Sequence, residues 1–150
     1  QMPEKFDMTY IGKDGAEHRP VMLHRTVLGS IERFMGILIE NYAGAFPFWL
    51  APVQVRLVPV NAESADYAAE VNNKLRDLGM RTEVDYSDEK LGKKIRDAQM
   101  QKVPFMLVIG AKEQESKTVA VRDRSKGDLG SMSLDDFVAL TKKEFNPLDK

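Results

Sequence analysis

Two short apolar runs limit how this chain can fold more than any other feature: VQVRLVPV at residues 53–60 and PFMLVI at residues 104–109. Runs of this length are short for buried helices and suit strands covered on both faces of a sheet. Between them, Ala68, Val71, Leu75 and Leu78 recur on one helical face that Gly79 stops. Residues 81–86 read as another strand, and Leu91, Ile95 and Ala98 mark a second amphipathic helix. Strand–helix alternation of this kind pairs strands in parallel through crossovers. Beyond Gly110, residues 118–124 alternate with Val119 and Val121 on one face, and a Gly-rich turn follows. Ser133, Asp135 and Asp136 then open a last helix with apolar positions Phe137, Leu140 and Phe145. A late hairpin or edge strand makes the sheet mixed. The expected fold class is α/β: a three-layer domain with a mixed, initially parallel sheet of about five strands flanked by helices.

The chain ahead of that domain has a different pattern. Residues 8–12 read as a strand, Lys13-Asp14-Gly15 as a turn, and residues 20–27 as a second strand interrupted by His24 and Arg25. Gly29-Ser30 marks a switch to helix, with Ser30 placed to cap it. Ile31, Phe34, Met35, Leu38 and Tyr42 then define a stripe expected to be buried, and Gly44 ends it. Residues 45–52 combine prolines with aromatics, which reads as a packed connector or as a hydrophobic loop within one domain.

Composition narrows the chemistry. Of 150 residues, 22 are Lys or Arg and 23 are Asp or Glu, so the net charge is -1 and any contact with a polyanion must use a local patch. There is no Cys and there are only two His, which excludes a disulfide framework, thiol catalysis and a self-contained Cys/His zinc site. Apolar runs fall short of a membrane span and no signal peptide opens the chain, so the expected setting is soluble cytoplasm. The opening Gln1-Met2 suggests a piece of a longer chain.

Three features could carry binding. Lys90, Lys93, Lys94, Arg96 and Lys102 crowd the second amphipathic helix against Glu89 and Asp97, with Lys112, Arg122 and Arg124 beyond. Lys90, Lys93, Lys94 and Asp97 are expected on an exposed face opposite Leu91 and Ile95, either a polyanion site or an ordinary solvated surface. Arg33 lies three residues before Gly36, where a missing side chain would admit a ligand or backbone; the alternative is a surface ion pair with Glu32 or Glu40. His24 stands alone, more like a structural histidine than a metal ligand. No P-loop, dinucleotide fingerprint or Ser–His–acid set is present.

These same residues form a recognisable series. Arg19-Pro20-Val21-Met22-Leu23-His24-Arg25, followed by Leu28-Gly29-Ser30-Ile31-Glu32-Arg33-Phe34, resembles motif 3 of class II aminoacyl-tRNA synthetases. Phe46-Pro47-Phe48-Trp49-Leu50-Ala51-Pro52-Val53-Gln54-Val55 resembles the junction by which threonyl-tRNA synthetases enter their anticodon-binding domain. Asp88-Glu89-Lys90-Leu91-Gly92, Lys94-Ile95-Arg96, Val103-Pro104-Phe105-Met106-Leu107-Val108 and Asp128-Leu129-Gly130-Ser131-Met132 fit the same family. The series covers essentially the whole chain. Prolyl, histidyl and glycyl enzymes share this type of anticodon domain, but the His-Arg ahead of the Gly-Ser-Ile-Glu-Arg run points to the threonyl member.

The resemblance implies two domains: the end of a class II antiparallel catalytic core at residues 1–49 and an anticodon-binding domain at residues 50–150. The parent would ligate threonine to its tRNA using ATP with magnesium, and would be a homodimer that engages neither membrane nor DNA. By similarity Arg33 contacts ATP, Ser30 lines the threonine site, and His24 is one ligand of a zinc site whose other ligands lie upstream. Motifs 1 and 2 are missing, so the chain alone is expected neither to catalyse ligation nor to hold these cofactors stably. Ile31, Phe34, Met35 and Leu38, left with few partners, are expected to give exposed apolar surface, disorder or self-association. The tRNA-facing residues would be Lys90, Arg96, Lys112, Glu113 and Arg122. Glu113 and Arg122 suit base edges, and Lys90 and Arg96 suit phosphates. The chain departs from the family at Ser87-Asp88, where Arg-Asn is usual, which puts base contacts by Asp88 in question. The other readings are a synthetase-like accessory or protein-interaction module, the equivalent part of another synthetase of this class, and a small-molecule protein binding at the carboxyl ends of the two apolar strands.

Overall fold

The computed structural model describes residues 2–145, without the side chains of Lys143 and Phe145. The chain divides into two compact units, one reaching to Gly36 and the other starting at Ile37.

In the first unit a short helix, α1 (Met2–Lys5), precedes a hairpin of β1 (Tyr10–Ile11) and β2 (Glu17–His18). The expected turn is there: Gly15 has φ 74°, and the amide of Gly12 donates to the carbonyl of Ala16. The returning strand is Glu17–His18, however, and residues 20–27 form no strand. A strand exists only against a neighbour, and β1 is already paired by the residues that leave the turn. Val21 and Leu23 are accordingly 87% and 89% exposed. Ser30 does cap α2 (Ile31–Tyr42): its Oγ accepts from the amide of Arg33 at 3.4 Å. The division between the units falls inside this helix. Along its stripe Phe34, Leu38 and Tyr42 are half-buried, while Ile31 and Met35 are exposed, the apolar surface expected where these residues are left with few partners. An amphipathic pattern records a preference for a partner layer rather than the presence of one.

The second unit builds the expected sheet. It contains β3 (Val55–Pro59), α3 (Ala65–Asp77), β4 (Thr82–Val84), α4 (Leu91–Met100) and β5 (Phe105–Ile109). These are followed by α5 (Ala111–Ser116), β6 (Thr118–Asp123), β7 (Gly127–Ser133) and α6 (Leu134–Phe145). The sheet order is β4-β3-β5-β6-β7, with β3 parallel to β4 and β5 and the last two pairings antiparallel. One face carries Val55, Leu57, Phe105, Leu107, Val119 and Val121 against Ala68, Val71 and Leu75 of α3 and Phe137 of α6. Phe105 is the hub, edge-on to both Phe48 and Phe137 at centroid distances of 5.7 and 5.5 Å. The Ser133 cap of α6 forms, its Oγ accepting from the amide of Asp136. The expected role of Phe145 lies outside the described residues.

Two readings are corrected here and one element is added. The Gly-rich stretch is an edge strand, β7, and only residues 124–126 turn; Gly127 and Gly130 take φ near 80° within it rather than ending it. Helix α5 was not anticipated. Leu78 is 54% exposed because α3 ends at Asp77 and the chain reverses through Gly79. The β6–β7 ladder also contains a bulge: Val121 pairs with Gly130 and Arg122 with Asp128, so Leu129 is the extra residue. Leu129 packs on the core side.

The connector is fastened by side chains that donate to its carbonyls. Gln54, 1% exposed, donates to the carbonyl of Phe48, and Arg81 donates to those of Trp49 and Ala51. Lys102 does the same for Ala43, just past the end of α2.

Candidate functional site

Residues paired across a sheet share a face, so the register locates the sheet's second face without ambiguity. One row runs Glu83, Arg56, Met106, Arg122, Asp128, and the next runs Val58, Val108, Ala120, Ser131. Helix α4 covers the β3 end of these rows. Burial then fades across the sheet: Val58 and Met106 are buried, Val108 and Ala120 are half-buried, and Ser131 is exposed. The result is a sheet face roofed on one side and open over β6 and β7.

Two of the expected residues converge on this open face. Arg122 projects from β6, its Nε 3.5 Å from the Asp128 carboxylate on β7. Glu113, in the first turn of α5, accepts from the amide of Gly110 through Oε2 at 2.9 Å. Its other oxygen lies 3.4 Å from the Ser131 hydroxyl, at the end of the Val108–Ala120–Ser131 row. The capping bond therefore fixes the carboxylate at the rim of the face that carries Arg122, two residues or about 7 Å along β6 from Ala120. A carboxylate that accepts and a guanidinium that donates in a plane, beside half-buried apolar side chains, can hold a flat polar molecule by its edge. Lys112 is exposed next to Glu113 on the same helix.

A second group gathers at the carboxyl ends of β3 and β4, where a cavity of about 440 Å³ is lined by Pro59, Asn61, Tyr86, Ser87, Asp88 and Lys94 among others. The loop that carries Asp88 is ordered from within. Burial pushes the Asp85 carboxyl up, but the hydroxyl and amide of Ser87, helped by the nearby Lys94 and Arg56 charges, outweigh it and hold the group below the usual aspartate value. Lys90 occupies the cap position that opens α4, at the end of this loop.

The basic helix face is smaller than the sequence suggests. Lys94 is 6% exposed, not part of the outer surface, and its ammonium donates to the carbonyls of Pro59 and Asp85. A lysine reads as polar in any periodicity count, yet α4 buries Lys94 and Ala98 while Leu91 and Ile95 are half-buried. Lys93 is exposed but pairs with Glu89. Arg96 is exposed on α4 and neither joins the open sheet face nor lines the cavity.

In the first unit His24, Ser30 and Arg33 are all exposed. The Ser30 hydroxyl donates to Glu32 at 2.7 Å, and apart from its chain neighbours and the backbone of its own helix no described atom lies within 4 Å of where a side chain at Gly36 would begin. Among the described residues no three His, Cys, Asp or Glu side chains gather, so His24 does not by itself fit a zinc site, which needs three or four such ligands. No described helix is long and apolar enough to cross a membrane.

Sequence reasoning missed Ser131, Asn61 and the burial of Lys94. Ser131 was hidden because the bulge shifts the alternation of β7. Asn61 carried a usable signal, since an Asn directly after a strand commonly caps the next turn, and here it accepts from the amide of Ser64.

Comparison with known proteins adds to this geometry. The family model described as anticodon binding domain matches residues 54–144. A threonine–tRNA ligase of Acetivibrio thermocellus is 62% identical over 138 residues, which is 92% of this chain and 22% of that protein. One from Clostridium novyi is 58% identical over 144 residues, 96% of this chain and 23% of the relative. The chain thus spans less than a quarter of the length of these relatives. The crystal structure of the RNA binding domain of threonyl-tRNA synthetase from Cryptosporidium parvum Iowa II superposes with a TM-score of 0.75 at 33% identity, covering 98% of this chain and 38% of that one. With the model spanning well over half of its residues, the chain belongs to the anticodon-binding domain family, of the kind carried by threonyl-tRNA synthetases.

Proposed function

We propose that this chain recognises the anticodon of a threonine-accepting tRNA, as the anticodon-binding part of a threonine–tRNA ligase. The observation that carries the reading is the open half of the sheet face, with Glu113 fixed at one end by the Gly110 amide and Arg122 projecting beside it. An unstacked base laid on Val108 and Ala120 would offer its edge to both groups, the usual way single-stranded RNA is read. Lys112 sits beside that patch and Lys90 beside the loop that carries Asp88, and each can meet the phosphates on either side. Asp88 faces the neighbouring cavity and is assigned to the same surface. Arg96, away from both, is assigned a backbone contact at the margin.

The same proposal extends to the parent enzyme. There ATP with magnesium, threonine and zinc would be handled by a catalytic core to which residues 1–49, with Arg33, Ser30 and His24, contribute, and the working state would be a cytoplasmic homodimer. Residues 50–150 form the anticodon-binding domain in this reading.

Binding of this chain to threonine tRNA, to the same tRNA with a substituted anticodon and to an unrelated tRNA, each across a salt series, tests the proposal. Cognate binding should be tighter at every salt concentration, and all three should weaken with salt as phosphate contacts are screened. Arg122→Ala should remove most of the cognate preference, about 1–3 kcal/mol if the guanidinium makes a bidentate base contact. Equal affinity for all three RNAs by the unsubstituted protein would refute anticodon recognition.

A further inference from the structure

The cavity at the carboxyl ends of β3 and β4 holds a charge that packing alone does not account for. Lys94 is 6% exposed, and its Nζ donates to the carbonyls of Pro59 and Asp85, both at 3.3 Å. Both bonds are long and both acceptors are neutral. Lys94 takes part in none of the described ion pairs; the nearby Asp85 carboxylate offsets part of its charge but accepts its hydrogen bonds from Ser87, leaving the ammonium without a charged hydrogen-bond partner. Burying an ammonium is costly unless it is paired, and a methionine of similar length would fill the same space. An ammonium also has three donors and no acceptor, so one donor is left over. Lys94 lines the cavity, and Asn61, Ser87 and Asp88 line it too.

The surroundings restrict what that donor can meet. Asp88 and Glu89 line the same cavity and Asp85 lies behind it, so an anion would be repelled. A hydrocarbon would leave the ammonium without a third partner. The complementary ligand is uncharged and flat, with an acceptor for Lys94 and an adjacent donor for the Asp88 carboxylate. A nucleobase edge carrying a carbonyl oxygen next to a ring N–H has that pattern, and an edge with an exocyclic amine in place of the carbonyl reverses it.

We propose that Lys94 is a specificity-determining residue, whose buried ammonium donates to a carbonyl oxygen on the edge of an unstacked base held in this cavity while Asp88 accepts from the N–H beside it. The inference rests on the tRNA reading above and assigns a discriminating role to a side chain that the sequence presents as surface charge.

The test uses anticodon stem-loop RNAs of threonine tRNA in which each carbonyl-bearing loop base is exchanged in turn for its amino counterpart, U for C or G for A. The unsubstituted protein should lose about tenfold in affinity at one position served by this cavity, a difference of about 1.4 kcal/mol. Lys94→Met should abolish the difference at that position and leave the penalties at other positions intact. Thermal denaturation checks that this variant folds; should it not fold, Asp88→Asn, in the exposed loop, should shrink the penalty at the same position alone. A full set of penalties in Lys94→Met, or an equal loss for every RNA, overturns the assignment, as does an unchanged penalty in Asp88→Asn. Should the unsubstituted protein bind all the RNAs equally, the anticodon reading fails and takes this one with it.

Discussion

The two units carry similar apolar patterning and use it in opposite ways. In the unit from Ile37 onward, Leu57, Leu75, Phe105 and Phe137 are fully or almost fully buried around one sheet face. In the unit ending at Gly36, Pro3 is the one buried position among the described residues, while Leu23, Val27, Leu28 and Ile31 are more than half exposed. Both units form local elements that their sequences ask for, a Gly turn and a helix cap in one and βαβ crossovers in the other. The difference shows that turn chemistry, capping and helical spacing act within a few residues, whereas burial needs a second layer.

Three substitutions test that contrast. The largest effect is expected from Phe137→Ala, which removes one of the two rings edge-on to Phe105 and should cost about 3–5 kcal/mol in urea denaturation. A loss below 1 kcal/mol would mean the α/β unit is not the cooperative core described here. Arg81→Ala comes next. It strips the donors from the carbonyls of Trp49 and Ala51, which should cost about 1–3 kcal/mol and make Trp49 more accessible to acrylamide quenching. Trp49 is the only tryptophan, so its emission reports this site directly. Unchanged quenching would show that the connector keeps its place without Arg81. The smallest effect is expected from Leu23→Ser, within about 0.5 kcal/mol, because the side chain is already 89% exposed. A loss of 2 kcal/mol or more, on the scale of about one buried leucine, would break the comparison by showing that Leu23 packs in solution.

Much of the α/β fold was legible because its signals are local and redundant. The runs at 53–60 and 104–109 had no competing interpretation, and Ser133 began α6 where a cap was expected. What was not legible depended on pairing. β7 looked like a turn because Gly127 and Gly130 favour turns, but β6 offered an edge and the glycines were absorbed by a bulge. The strand expected at residues 20–27 failed for the converse reason, since it found no edge. Of the candidate site, Glu113 and Arg122 are legible as candidates, but nothing in the spacing of α5 and β6 reveals that Glu113 meets Ser131 at the rim of the face that carries Arg122. The burial of Lys94 was hidden because a long cationic side chain can reach the main-chain carbonyls at the ends of β3 and β4.

The bulge beside Arg122 also ties the length of a segment to its electrostatics. Because Leu129 is the extra residue, Asp128 falls on the face of Arg122 and Leu129 falls on the core side. Remove one residue between Arg124 and Leu129 and the alternation inverts: the acid leaves the guanidinium and an apolar side chain moves out onto the open face. The count of residues in that stretch therefore matters to the surface as much as the identity of Asp128 does. A segment that keeps both this count and an acid at position 128 keeps the arrangement of charge beside Arg122, and a change of count rebuilds the surface even where every neighbouring residue is the same.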